Sequence, residues 1–104
     1  MGREVDLKKI SHITILGRKI KVRLKTDEQL KRIMGYSVHG LYDHKSKTIY
    51  ISSDQCDKEK RLTLLHESVH ATQYIVGLNQ VIPPEIQEII CETTAQLIDD
   101  LTRK

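Results

Sequence analysis

Five consecutive residues, His66-Glu67-Ser68-Val69-His70, carry the most specific chemistry in this 104-residue chain. They form an H-E-x-x-H pattern inside a strongly helical stretch. Residues four apart on a helix stand one above the other, about 6 Å along the axis, so two imidazoles can converge on one metal ion. Neutral imidazole nitrogens suit Zn²⁺ at about 2.0–2.1 Å. Glu67 points to the side of that pair, where its carboxylate can take a proton from water on the metal. With five His and seven Glu in the chain, random order gives this pattern in only about one chain per hundred. The competing reading, two histidines packed beside a glutamate, leaves polar groups without a role on the most apolar helix.

A catalytic zinc site needs a third protein ligand and one open position. No His follows His70, which excludes the H-E-x-x-H-x-x-G-x-x-H arrangement. The candidate acids are Glu85, Glu88, Glu92, Asp99 and Asp100. Two helices joined by a short loop pack antiparallel, so a residue about two turns into the second faces the middle of the first. Glu92 is expected there. Glu85 and Glu88 are expected to serve as helix N-terminal charges, and Asp99-Asp100 lie far down the helix. Cys56 and Cys91 could ligate a metal, but neither has a second Cys at x₂ spacing, so both are expected to be buried thiols. Tyr36, Tyr42 and Tyr74 are candidate oxyanion donors; His39 and His44 flank a strand and a turn, and His12 is expected on the surface.

The elements that must position these residues follow from periodicity. Ile10 to Leu16 is rich in β-branched residues, Gly17-Arg18 breaks the run, and Ile20, Val22 and Leu24 alternate with Lys19, Lys21, Arg23 and Lys25. That predicts a hairpin with one wet face. Thr26 or Asp27 caps a short helix closed by Gly35. Tyr36 to Tyr42 and Thr48 to Ile51 read as paired strands around a polar turn. Leu62, Leu65, Val69 and Val76, widened by Leu64, Ala71 and Ile75, predict a central helix ended by Gly77. Pro83-Pro84 opens a last helix with Ile86, Ile89, Ile90, Leu97 and Leu101 as its buried stripe and a frayed end at Thr102-Arg103-Lys104. Strands followed by two long helices argue α+β, a small antiparallel sheet with two packed helices carrying the zinc pattern.

The length suits a single domain over residues 1–104. A formal net charge of +3 with 30% charged residues excludes a polycationic nucleic-acid coat, and the Lys19–Lys25 row reads as the solvated face of a strand. A nucleic-acid interface there would show as a steep salt dependence. No apolar run reaches the roughly 18 residues of a membrane span. The N-terminus MGREVDLKKI lacks the apolar stretch of a secretory signal, and Asp6 stands where myristoylation needs Ser or Thr. With two cysteines and no disulfide framework, the expected setting is the reducing cytoplasm.

Gly40-Leu41-Tyr42-Asp43, a polar turn, Thr48-Ile49-Tyr50-Ile51 and Leu64-Leu65-His66-Glu67-Ser68-Val69-His70-Ala71 together resemble the ImmA/IrrE family of zinc metallopeptidases. Glu92-Thr93-Thr94-Ala95-Gln96-Leu97 looks like that family's second helix, and the resemblance spans roughly residues 36–101. Val69 stands where members often have Gly, and Thr94 where Asn is common, as in short variants from phages and mobile elements. The resemblance implies a zincin-like fold, Zn²⁺ held by His66, His70 and Glu92, and Glu67 as general base. It also implies a protein substrate, such as a regulatory repressor of a phage or mobile element. The substrate backbone is expected to add to an edge strand at residues 36–42 or 48–51. A zinc-stabilised protein-binding module without hydrolysis is the alternative; Glu67 separates the two, having no duty in a purely structural site.

Overall fold

The computed structural model describes residues 10–102; the readings for residues 1–9 and for Arg103-Lys104 lie outside them. Strand β1 (His12–Ile15) pairs antiparallel with β2 (Arg18–Lys25). Leu16 and Gly17, at φ 50° and 79°, make the two-residue turn whose left-handed backbone matches strand twist. Helix α1 (Asp27–Met34) begins at Thr26, whose hydroxyl accepts from the Gln29 N–H while the Gln29 side chain accepts from the Thr26 N–H. That reciprocal cap satisfies two backbone donors. Gly35 ends the helix at φ 83°.

Strands β3 (Gly40–Asp43) and β4 (Thr48–Ser52) form a second hairpin, and β4 docks parallel to β2. The sheet order is β1-β2-β4-β3, so the sheet is mixed, not wholly antiparallel. Two expectations change with it. Strand β3 starts only at Gly40, and β4 is paired on both sides, leaving no free edge at residues 48–51. Ile20, Val22, Ile49 and Ile51 point to one face and pack with Leu64 as the core, as the period-two pattern requires. Lys19, Lys21 and Arg23 face the other way and are exposed.

Helix α2 (Asp57–Val76) lies across that apolar face, and α3 (Pro84–Thr102) packs on α2's far side. Gly77 at φ 82° and a single 3₁₀ turn, Leu78–Gln80, reverse the chain. Covered on two sides, α2 buries Leu64, Glu67, Ala71 and Gln73. The buried face of α3 differs from the expected stripe. Gln87, Cys91, Ala95 and Asp99 meet α2, whereas Ile86, Ile89, Leu97 and Leu101 are 46–63% exposed. Apolar periodicity marks a face without saying what covers it. Here small side chains let the helices approach, and polar pairs fix their register. The Gln73 amide of α2 donates to the Gln87 carbonyl of α3 at 3.5 Å, and Arg61 Nε donates to Asp99 Oδ1 at 2.8 Å with both side chains largely buried. Thr102 remains helical, its hydroxyl donating to the Ile98 carbonyl. Among the described residues no helix is long and apolar enough to cross a membrane.

Removing one partner of a buried ion pair strands the other. Asp99→Ala should therefore cost about 3 kcal/mol of unfolding free energy by urea denaturation, whereas replacing both partners together (Arg61→Met with Asp99→Leu) should recover most of it. Equal losses in the single and double variants would contradict this role for the pair.

Candidate metal centre

His66 and His70 occupy successive turns of α2, their ring centroids 5.1 Å apart. The carboxylate that meets them comes from α3, and it is Glu88. Its Oε1 lies 2.5 Å from His70 Nε2, and its two oxygens lie 3.3 and 3.2 Å from His66 Nε2. Glu92, the expected partner, is exposed on the same flank of α3 one turn later and lines the same cleft. Glu88 and Glu92 are four apart, so either could face α2; a shift of one turn, about 6 Å along the axis, decides between them. The connector at residues 77–83 and the Arg61–Asp99 pair set that register. Glu85 is exposed in the first turn of α3, as expected of a helix N-terminal charge.

A second neighbour was not expected at the centre. Cys91, fully buried on α3, has its Sγ grouped with one ring nitrogen each of His66 and His70, all within 4.8 Å of one another. Its thiol donates to Gln73 Oε1 at 3.6 Å. Cys56, by contrast, sits exposed at the start of α2, not buried as the sequence suggested. Cys91 lies three residues after Glu88, hence beside it on the helix; that spacing was the only signal in the sequence.

The donors suit a divalent ion of intermediate softness. A tetrahedral zinc shell at about 2.0–2.1 Å holds its nitrogen and oxygen donors about 3.3 Å apart. The His66–Glu88 separations match that, and the His70–Glu88 contact needs only to open slightly. Two imidazoles and a carboxylate are the donors of a three-ligand zinc site with room for water.

Glu67 lies between this cluster and the sheet. It is 8% exposed. Burial, reinforced by the nearby Glu88 charge, pushes its carboxyl up to about 8. For Glu88 burial also acts upward, but the hydrogen bond from His70 and the two imidazoles outweigh it and hold the carboxyl below its ordinary value. Burial and the Glu88 and Glu67 charges push the Cys91 thiol up to about 12. Gly40 allows β3 to pass close above Glu67. A Cβ there would stand 2.5 Å from Thr63 Cγ2, 3.0 Å from the Tyr50 carbonyl oxygen and 3.4 Å from Glu67 Cγ.

The cluster opens into a cleft of about 1180 Å³ walled by β3, α2 and α3, with Tyr36, His39, Tyr42 and Tyr74 on its surface. Tyr74 stands one turn beyond His70 and packs against His44 at 5.0 Å and Tyr42 at 5.7 Å between ring centroids. Tyr42 Oη and His44 Nδ1 are hydrogen-bonded at 2.8 Å. His12 is on the exposed side of β1, bonded to Ser11. Comparison with protein-family models, curated proteins and solved structures finds no match. The geometry of the site and its chemistry therefore carry the functional reading.

A pH dependence follows for the metal-free protein. Folded Glu67 keeps its proton up to about pH 8, whereas an unfolded chain releases it near 4.5. The folded state binds more protons between those values, so stability falls as pH rises through that window. Urea unfolding in chelator at pH 5.5 and 8 should show wild type losing more stability than Glu67→Gln; parallel losses would contradict the buried, protonated state.

Proposed function

We propose that this chain is a zinc-dependent metallopeptidase with a zincin-like arrangement, in which His66, His70 and Glu88 hold Zn²⁺ and Glu67 is the general base. The observation that carries the reading is the meeting of both imidazoles with one α3 carboxylate, beside a buried glutamate, at the base of an open cleft. The sequence resemblance to the ImmA/IrrE family supports the same reaction class, with Glu88 taking the position first expected of Glu92.

Bound there, Zn²⁺ would polarise the scissile carbonyl and lower the pKa of the attacking water. Glu67 would serve as the base that takes a proton from the attacking water and returns it to the leaving amine. Its burial keeps the carboxylate poorly solvated and therefore basic, which suits a group that must accept and return a proton near neutral pH. Strand β3 is paired on one side only, so its outer edge can bind an extended substrate backbone as a further strand. The Tyr74 phenol, one helical turn after His70 and on the wall of the same cleft, is a candidate for stabilising the developing oxyanion. The substrate is an extended segment of a protein, with a regulatory repressor of a phage or mobile element as the class the resemblance suggests. The setting is the cytoplasm, where Cys56 and Cys91 stay reduced.

Two comparisons test this. Glu88→Gln should lose most of the bound zinc by elemental analysis, while Glu92→Gln keeps it; the reverse pattern would return the ligand to Glu92. On a pool of quenched fluorescent peptides, zinc-loaded Glu67→Gln should cleave at least about 10²-fold more slowly than wild type. Equal rates would refute the general-base role. No cleavage by wild type at full zinc occupancy would favour a zinc-stabilised binding module.

A further inference from the structure

From the grouping of Cys91 with His66 and His70 we infer that this thiol is a fourth protein ligand, able to close the metal centre against water. The inference rests on the metal-site reading above and concerns the regulation of that same site. Three observations carry it. Cys91 Sγ and one nitrogen from each imidazole lie within 4.8 Å of one another. A zinc shell with Zn–S of about 2.3 Å brings such donors to about 3.5 Å, a closure that side-chain rotation on two packed helices can supply. Cys91 is fully buried on the α3 face that meets α2, so the sulfur approaches from inside the protein, while Glu88, 56% exposed, approaches from the cleft. Finally, the side chain that Cys91 now meets, Gln73, is itself 3% exposed; its carbonyl oxygen accepts from the thiol at 3.6 Å and its amide nitrogen donates to the Gln87 carbonyl at 3.5 Å. Turned through half a rotation, the same amide donates to a thiolate, the outer support that metal-bound groups usually have.

With a metal bound there, coordination would break the Cys91 S–H bond and form one sulfur–metal bond; a water ligand would leave and the proton would pass to solvent, with nothing oxidised or reduced. Held by His66, His70, Glu88 and Cys91 together, a zinc ion would have a full set of four protein ligands, and release of the thiol would reopen the position that hydrolysis needs. Cys91 is thus a gate on the ligand shell, and its replacement should leave the centre permanently open.

Cobalt(II), added to metal-free protein in place of zinc, tests the inference. Wild type should bind one equivalent and show the intense near-ultraviolet sulfur-to-cobalt band, with visible absorption of a four-coordinate ion. Cys91→Ser and Cys91→Ala should bind cobalt without that band and hold zinc at least about tenfold more weakly, while Cys56→Ser keeps the band. X-ray absorption at the zinc edge of wild type reads the same point without any substitution, a sulfur at about 2.3 Å being expected. One equivalent of metal bound with neither signal would overturn the role of Cys91 and leave the metal site standing. No stoichiometric binding by wild type would overturn both.

Discussion

The contact between α2 and α3 is the constraint on which the centre depends. Neither helix holds enough donors alone: α2 brings two imidazoles and Glu67, and α3 brings Glu88 and Cys91. They meet because α3 presents Cys91 and Ala95, two small residues, to α2, and because Arg61 and Asp99 pair at 2.8 Å near the far end of the helices. A slip of one turn would put Glu92 where Glu88 stands and carry the thiol away from the imidazoles. The Arg61–Asp99 pair spans the two helices, and setting register is the role in which buried ionic groups are best attested.

The same packing creates an electrostatic problem that a metal ion would relieve. Glu67, Glu88 and Cys91 crowd one region, and the buried Glu67 is pushed up to about 8 by desolvation and by the Glu88 charge. A divalent cation among these groups reverses the sign of the local field. It also replaces the hydrogen bonds that Glu88 now makes with His66 and His70, the contacts that hold the cluster together without an ion. Ligand burial and fold stability are then coupled, because a site of this kind exists only in the folded chain.

Much of this was legible in the sequence. The β1–β2 hairpin, a helix start capped at Thr26 or Asp27, the central α2 and the glycine stops at Gly35 and Gly77 all follow from local rules that tertiary packing had no reason to override; the structure puts the cap at Thr26. The H-E-x-x-H spacing was equally plain, because helix geometry alone places His66 and His70. What periodicity could not give was the side of α3 that packs. Ile86, Ile89, Leu97 and Leu101 form the more apolar stripe, yet Gln87, Cys91, Ala95 and Asp99 are buried. Helix contacts formed through small residues and buried polar pairs leave little hydrophobic signal. The sheet's mixed order and the contact of Glu88, rather than Glu92, with the imidazoles were hidden for a related reason: both depend on register between distant segments, which no local pattern records.

The central claim is that His66, His70 and an α3 carboxylate form one metal site coupled to the fold. Calorimetric titration of the metal-free protein with Zn²⁺, followed by thermal melting of the same samples, addresses it most directly. The account predicts binding that saturates at one equivalent and a melting temperature that rises with free zinc, as required when a ligand binds only the folded state. No heat of binding and an unchanged melting curve in excess zinc would contradict it.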